Sequence, residues 1–171
     1  MPANLIQTPA PHLRDGRGGV EASVSEDTRL LMCEENLKAG MRLGPIFYTV
    51  PAQQVDSFTH ALDDHNPLFA SSAPGGAPLA PPTMRLLDYA LLIAAHFRGG
   101  SGGVHAKQRM ELIEPMRVGQ SVRVDGTVTE TYRKRGKVYF VLEYEQRDAE
   151  SSQLLVRQEI TAVLLKGGGM Q

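Results

Sequence analysis

The sequence contains few of the residues that crosslink a chain or bind metals through sulfur. Among its 171 residues Cys33 is the only cysteine, which excludes an internal disulfide and any zinc site built from several cysteines and fits a reducing compartment. No pair among the five histidines combines a metal-ligand spacing with a matching carboxylate. We therefore expect no metal site.

The chain also lacks an excess of charge of one sign and long apolar runs. Its formal net charge is -1, so no overall field would hold nucleic acid, which we do not expect as a partner. No stretch reaches the roughly 18 apolar residues of a membrane span, and the start Met1–Asn4 lacks the basic and apolar regions of a signal peptide. These absences predict a cytoplasmic protein that does not associate with membranes.

What the sequence does have is enough apolar residues for one core. With 42% hydrophobic and 22% charged residues, it has the size and composition of a single domain. Residues 1–25 mix Pro, Gly, Arg, Glu and Ser without a hydrophobic period, which predicts a flexible N-terminal extension. We expect one domain over residues 26–166 and a flexible tail over residues 167–171.

The first part of this domain combines one strand with helices. Residues 27–38 predict a short helix, and residues 45–50 predict a strand that Pro51 ends. Apolar residues at helical spacing over 53–62 predict an amphipathic helix. Residues 83–97 are apolar nearly all round, which is typical of a helix in the middle of a core.

The second part of the domain has the alternation of strands. Apolar and polar residues alternate in four successive segments between Val104 and Leu164, with turn signals at Gly136 and over 148–152. One strand, helices and then four antiparallel strands indicate an α+β protein, in which a curved antiparallel sheet wraps round a central apolar helix. This is the hot-dog fold. Its exposed sheet edges favour pairing with a second copy or a relative.

The turn after the first amphipathic helix carries the residues most suited to chemistry. It places Asp64 and His65 together, and the loop that follows leads to the predicted helix start at Thr83. A helix start stabilises the developing negative charge of a thioester carbonyl, and a nearby carboxylate can move a proton at the adjacent carbon. The other interpretation is ordinary turn chemistry for Asp64 and a solvated position for His65. The spacing alone leaves both open.

Four passages of the chain are similar, in order, to motifs of one family. The passage Ala61–Leu68 contains Asp-Asp-His-Asn-Pro-Leu, and Pro78–Met84 leads into the apolar helix. Together with Leu37–Met41 and the strand region from His105 to Gly136, they resemble the MaoC-like hydratase/dehydratase family, in particular its fungal fatty-acid-synthase-like N-terminal dehydratase branch. The similarity spans residues 37–165.

This resemblance implies hydration of trans-2-enoyl thioesters, or the reverse dehydration of 3-hydroxyacyl thioesters. The acyl group would be presented by coenzyme A or a carrier protein, and no metal or redox cofactor is implied. Active members use D-x-N-P-x-H, whose Asp and His act together on the water and the α-proton. Asp64, Asn66 and Pro67 match this motif, but Phe69 stands at the histidine position.

A second departure concerns the oxyanion hole. Active members commonly have His-Gly where this chain has Pro81-Pro82, and the Gly supplies a backbone N–H that proline lacks. The amides of Thr83 and Met84 are the candidate substitutes. The resemblance therefore assigns catalysis to Asp64, and the recruited histidine would be His65. The predicted substrate-binding residues are Asn66, Pro67, Phe69, Pro82, Thr83 and Met84.

Three functions remain open at this stage. The first is an acyl-thioester hydratase/dehydratase that acts as a homodimer. The second is the non-catalytic, substrate-binding subunit of a heterodimer with another MaoC-like subunit, in which Phe69 and the apolar helix line an acyl tunnel. The third is a hot-dog thioesterase, in which a carboxylate activates water against the thioester carbonyl.

Overall fold

The computed structural model describes residues 27–70, 76–99 and 103–164. The predicted extension over 1–25 and tail over 167–171 lie outside these residues. Seven strands and two α-helices form the described part of the chain. In order, they are β1 (Leu30–Leu31), β2 (Arg42–Thr49), α1 (Ala52–Ala61), α2 (Tyr89–His96), β3 (Phe97–Arg98), β4 (Gly103–Leu112), β5 (Ser121–Lys134), β6 (Lys137–Asp148) and β7 (Leu154–Leu164).

Five strands form one antiparallel sheet in the order β2-β5-β6-β7-β4. The alternation of the sequence decides which side chains face inward: Phe140, Leu142 and Tyr144 of β6 are all buried, two residues apart. Helix α2 packs against this sheet, mainly on β2. The predicted hot-dog fold and its four long C-terminal strands are confirmed.

The predicted helix over residues 27–38 is wrong. Leu30–Leu31 instead forms β1, which pairs in parallel with Phe97–Arg98, and the Met32 amide donates to the Arg98 carbonyl at 3.0 Å. Helices of about 12 residues are marginal without tertiary packing. Residues 30–32 instead form their backbone hydrogen bonds with β3, the strand that directly follows α2.

The apolar helix predicted over residues 83–97 is shorter and less buried than expected. Pro82–Arg85 form a 3-10 helix, residues 86–88 form turns, and the α-helix begins only at Tyr89. Leu92 is its one fully buried residue, whereas Leu91 is 46% exposed. The helix therefore covers the sheet with one side and leaves apolar surface on the other.

The core lies between α2 and the inner face of the sheet. Strands β2 and β4 are the sheet edges, and most residues of β4 are exposed. No helix in the described ranges is long and apolar enough to cross a membrane. The innermost apolar residues include Leu43, Val55, Leu92, Val122, Val124, Leu142 and Ile160.

Candidate active site

The turn that follows α1 is held by its own side chains. The Asp64 carboxylate accepts the Asn66 backbone N–H at 3.0 Å, and the Asn66 side chain accepts the Leu68 backbone N–H at 3.0 Å. Pro67–Phe69 form a single 3-10 turn, in which the Phe69 amide donates to the Asn66 carbonyl at 3.0 Å. These are the bonds that Asp and Asn side chains make in turns. The family-like motif thus builds the turn as well as carrying a carboxylate.

A hollow of about 380 Å³ opens beside this turn, and we call it the turn hollow. Asp64 and Phe69 are both half-buried in its wall. The remaining wall is mostly polar, so the ring of Phe69 is its largest apolar surface. The lining residues are Asp56, Thr59, His60, Asp64, His65, Asn66, Phe69 and Ala70.

His65 lines the turn hollow, but its side chain pairs with Asp63 and not with Asp64. Its Nε2 lies 3.0 Å from the Asp63 carboxylate, and the two side chains are 86% and 92% exposed. His60, on α1, lines the same hollow and received no role from the sequence. It lies in the last turn of α1, directly before the turn that carries Asp64.

Pro82 lines a second hollow of about 260 Å³, which we call the proline hollow. Its walls come from the segment that leads into α2, from the end of β4 with the following loop, and from Val156. They are largely apolar, with Arg85 and Glu114 as the charged residues. Among the described residues Asp64 and Pro82 therefore line two different hollows.

One short segment connects the two hollows. The Leu79 amide donates to the Leu68 carbonyl at 2.8 Å, on the side of the turn hollow. The Ala80 amide donates to the Met116 carbonyl at 2.8 Å, on the side of the proline hollow. Because backbone hydrogen bonds fix both sides, the segment sets the spacing between the turn and the start of α2.

The backbone amides at the start of the 3-10 helix differ in availability. Pro82 has no N–H, and the Met84 amide donates to the Pro81 carbonyl at 3.0 Å. Within the described part of the chain the amide of Thr83, an exposed residue, donates to no backbone carbonyl. Of the two amides predicted to replace the missing oxyanion donor, Thr83 is thus the one with its N–H available.

A buried carboxylate lies beneath this segment. Asp88 is 4% exposed and receives the Tyr48 hydroxyl at 2.7 Å and the Arg85 guanidinium at 2.8 Å. The pKa of Asp88 is raised above its ordinary value, because the effect of burial outweighs those of the Arg85 charge and the Tyr48 hydroxyl, which lower it. Arg85 also stacks over the Tyr48 ring, 3.8 Å from its centre. No sequence motif contains Asp88, Arg85 or Tyr48, so this buried group could not be predicted from the sequence.

The basic run Arg133–Lys137 lies far from these hollows in the same subunit. It forms the β5–β6 turn, where Arg133 pairs with Glu34. The loop that contacts residues 78–80 precedes the opposite end of β5, at Ser121. A 14-residue strand is about 40 Å long. The basic turn and the two hollows therefore lie toward opposite ends of β5.

Comparisons with known proteins give the same fold. The family model described as "FAS1-like, dehydratase domain region" matches residues 38–152. No curated protein matches the sequence. The solved structures include the HadBC (3R-hydroxyacyl-ACP dehydratase) complex from Mycobacterium tuberculosis, with 20% identity and a TM-score of 0.64 over 73% of this chain and 96% of that chain.

Two further structures are similar over nearly their whole length. The (R)-hydratase from A. caviae involved in PHA biosynthesis has 20% identity and a TM-score of 0.62, covering 77% of this chain and 99% of that chain. The ChsH1-ChsH2 complex from Mycobacterium tuberculosis has 12% identity and a TM-score of 0.60, covering 75% of this chain and 98% of that chain. At this level of identity the similarity shows the shared hot-dog fold.

Proposed function

Because the chain belongs to the family of FAS1-like dehydratase domain regions, among the MaoC-like dehydratases, we propose that it acts on enoyl and 3-hydroxyacyl thioesters as a hydratase/dehydratase. The observation that carries this proposal is the turn Asp64–Phe69. Its Asp-x-Asn-Pro sequence is folded into a compact turn, and the half-buried Asp64 lines a hollow of about 380 Å³.

The unpaired Cys33 fits a reducing, cytoplasmic location.

The proposed chemistry adds water across the α,β double bond. A base removes a proton from water while the water oxygen bonds to the β-carbon, and the protonated base then delivers that proton to the α-carbon. Asp64 is the proposed base, because one of its oxygens is free of the turn. In the transition state the thioester carbonyl gains negative charge, which the available Thr83 amide would stabilise.

The same residues define the proposed substrate contacts. The apolar walls of the proline hollow suit an acyl chain, with Pro82 and the half-buried Met84 beside the thioester. Phe69 gives the turn hollow its apolar surface, and Asn66 with Pro67 holds the turn that presents it. A thioester that reaches both hollows would have to pass the segment at residues 78–80.

A second candidate function is favoured by the environment of Phe69 and His65. Phe69 stands where active members have histidine, and His65 pairs with Asp63 instead of Asp64. The chain would then be the substrate-binding subunit of a heteromer whose partner supplies the acid/base pair. Two of the structurally similar proteins, HadBC and ChsH1-ChsH2, are complexes of two named subunits.

The partner surface that we propose lies on β4 and α2. Strand β4 is a sheet edge with unpaired backbone groups, which favours pairing with a strand of another chain. Large apolar side chains are exposed on β4 and on α2, with 52% of Leu112 and 46% of Leu91 accessible. Either a second copy or another MaoC-like subunit would cover this surface. The exposed apolar residues are Leu87, Leu91, Val104, Leu112 and Ile113.

One assay separates these functions. Purified protein is incubated with a crotonyl thioester and with a longer enoyl thioester, and loss of enoyl absorbance is followed beside release of free thiol. Loss of absorbance without thiol release by the protein alone supports the homodimeric hydratase. Activity that appears only after co-expression with a MaoC-like protein carrying an intact D-x-N-P-x-H supports the substrate-binding subunit. Thiol release would instead indicate a thioesterase, and no reaction in any arm contradicts the proposal.

A further inference from the structure

Three glutamines cross the inner face of the sheet beneath the start of α2. Gln146 of β6 and Gln158 of β7 are 0% and 1% exposed, and Gln108 of β4 is half-buried. Other inward positions of β6 and β7, such as Leu142 and Ile160, are apolar. Burying an amide side chain without partners is costly. Their hydrogen bonds must therefore account for their presence.

The glutamines form one directional chain of hydrogen bonds, which we call the glutamine network. Gln108 Nε2 donates to Gln158 Oε1 at 2.6 Å, and Gln158 Nε2 donates to Gln146 Oε1 at 3.1 Å. Gln146 Nε2 then donates to the Asp88 carboxylate at 2.5 Å. Each amide points its donor toward the next residue, and the chain ends on the buried anion, where charge-assisted bonds are strongest.

The second N–H of each amide is directed at the backbone that leads into α2. Gln146 and Gln158 donate to the Arg85 carbonyl at 3.4 and 3.3 Å, and Gln108 donates to the Leu86 carbonyl at 2.9 Å. All six amide N–H positions are therefore used, two between glutamines, one on the Asp88 carboxylate and three on the carbonyls of Arg85 and Leu86. We call Pro82–Asp88 the leading segment.

The leading segment needs such partners because it is not an α-helix. Its 3-10 helix ends at Arg85, and residues 86–88 are turns. Among the described residues the only backbone N–H that the Arg85 carbonyl accepts is that of Asp88, at 3.4 Å, and the Leu86 carbonyl accepts no backbone N–H. Leu86 O also accepts the Tyr144 hydroxyl at 3.2 Å. Side chains from three strands therefore supply the hydrogen bonds that fix this irregular backbone relative to the sheet.

The Asp88 carboxylate fixes the same segment from its other end. It receives Tyr48 from β2, Gln146 from β6 and the Arg85 side chain of the segment itself. Removing one partner from a buried network leaves the others unsatisfied, which costs more than the single bond. The network and Asp88 thus form one unit that holds the leading segment in a single position.

We propose that Gln146 and Gln158 are positioning residues, which hold the leading segment so that the Thr83 amide points at the thioester carbonyl. This inference rests on the proposed function. The two glutamines do not touch substrate, since both are fully buried. They act through the Arg85 carbonyl, and Gln146 acts through the Asp88 carboxylate as well. An oxyanion donor is effective only when its direction is fixed before reaction.

The test compares Gln158→Leu with Leu142→Ala. Gln158→Leu removes the central member of the network, whereas Leu142→Ala opens a cavity at a buried apolar position of β6 and has no hydrogen bond to lose. Hydrogen exchange of the leading segment is measured in both, followed by kcat and KM for enoyl-thioester hydration, in the complex if activity needs a partner. In Gln158→Leu we expect about tenfold faster exchange at the segment and a loss in kcat of about ten- to hundredfold with KM nearly unchanged.

Leu142→Ala should show neither effect beyond its global destabilisation. Unchanged exchange of the leading segment in Gln158→Leu would overturn the proposal, because the network would then not hold the backbone. Faster exchange with unchanged kcat would overturn it too, because the position would not matter for the reaction. Failure of the proposed function is seen separately, as a wild-type protein without hydration activity alone or with a partner. In that case the Thr83 part of the inference falls, and the exchange comparison still decides whether the glutamines hold the segment.

Discussion

Asp64 accepts the backbone N–H of Asn66 at 3.0 Å and thereby holds the turn in which it lies. The carboxylate has two separable properties, an acceptor oxygen that the turn needs and a negative charge that proton transfer needs. A substitution that keeps the first and removes the second can distinguish structure from chemistry. Asparagine has this property, because its side-chain oxygen can accept the same bond.

We predict that Asp64→Asn lowers hydration activity by about 10² to 10⁴ while the thermal midpoint of unfolding stays close to wild type. The base is lost but the turn is kept. Asp63→Asn is the matched control, because the Asp63 carboxylate is next in sequence to Asp64, is 92% exposed and pairs only with His65 among the described residues. It should retain activity. Full activity of Asp64→Asn would remove Asp64 from the mechanism and favour the substrate-binding subunit.

Phe69→His restores the residue that active relatives carry. The ring position is half-buried in the same hollow as Asp64, so a histidine there has a carboxylate within the same cavity. We predict a gain of hydratase activity in the purified protein, measured as loss of enoyl absorbance. Leu68→His, one residue earlier and 43% exposed, is the control that should gain nothing. An inactive Phe69→His protein that is still folded would show that more than one catalytic group is missing.

Most of the fold was predictable because long strands carry a clear alternation. The failures are segments whose partners are distant in sequence. Residues 27–38 were predicted as a helix, but Leu30 pairs with Phe97, a contact that no local pattern contains. The helix start at Thr83 was predicted from apolar composition, whereas side chains from the sheet hold it as a 3-10 helix and turns.

The candidate site was predictable only where a motif exists. The turn residues Asp64 and Asn66 stood out by their order, and they do form one turn. The buried positions of Gln146 and Gln158 could not be predicted, because a single glutamine in an alternating strand resembles an outward-facing residue. Their inward direction follows from register, two residues beyond Tyr144 and two before Ile160, once the strands are fixed.

Asp148 gives a prediction about pH and stability. The Ser151 backbone N–H, at 2.7 Å, and the Gln120 side chain, at 2.8 Å, hold the pKa of Asp148 at about 2, below its ordinary value of 3.8. Because the folded state lowers this pKa, the stabilisation is complete above the unfolded value and is lost as the pH falls toward 2.

Asp148→Asn should therefore unfold at a lower temperature than wild type at neutral pH. The difference between the two thermal midpoints should narrow between pH 4 and pH 2, where wild-type Asp148 becomes protonated. Thermal unfolding followed by circular dichroism over this range measures it. A difference that stays constant down to pH 2 would contradict the assignment of the stabilisation to the charged form.

The partner surface can be tested by adding charge to α2. Leu91 is 46% exposed in the first turn of α2, where the neighbouring Tyr89 ring lies 5.1 Å from the His105 ring of β4. A glutamate there would be buried without a partner if another chain covers this side, which is strongly unfavourable. We predict that the wild-type protein forms a dimer, or a complex with a MaoC-like partner, and that Leu91→Glu converts it to monomers in light scattering coupled to gel filtration.

Phe47→Glu is the control for this prediction, because Phe47 is 58% exposed on β2, at the opposite edge of the sheet. It should leave the oligomer intact, so the pair of variants identifies which edge is used. If Phe47→Glu dissociates the oligomer and Leu91→Glu does not, the partner binds at β2 instead. The outcome also bears on the active site, since Leu112 belongs both to the β4 edge and to the proline hollow. A partner bound along β4 would therefore form part of the wall of that hollow, and Leu91→Glu should weaken thioester binding together with association.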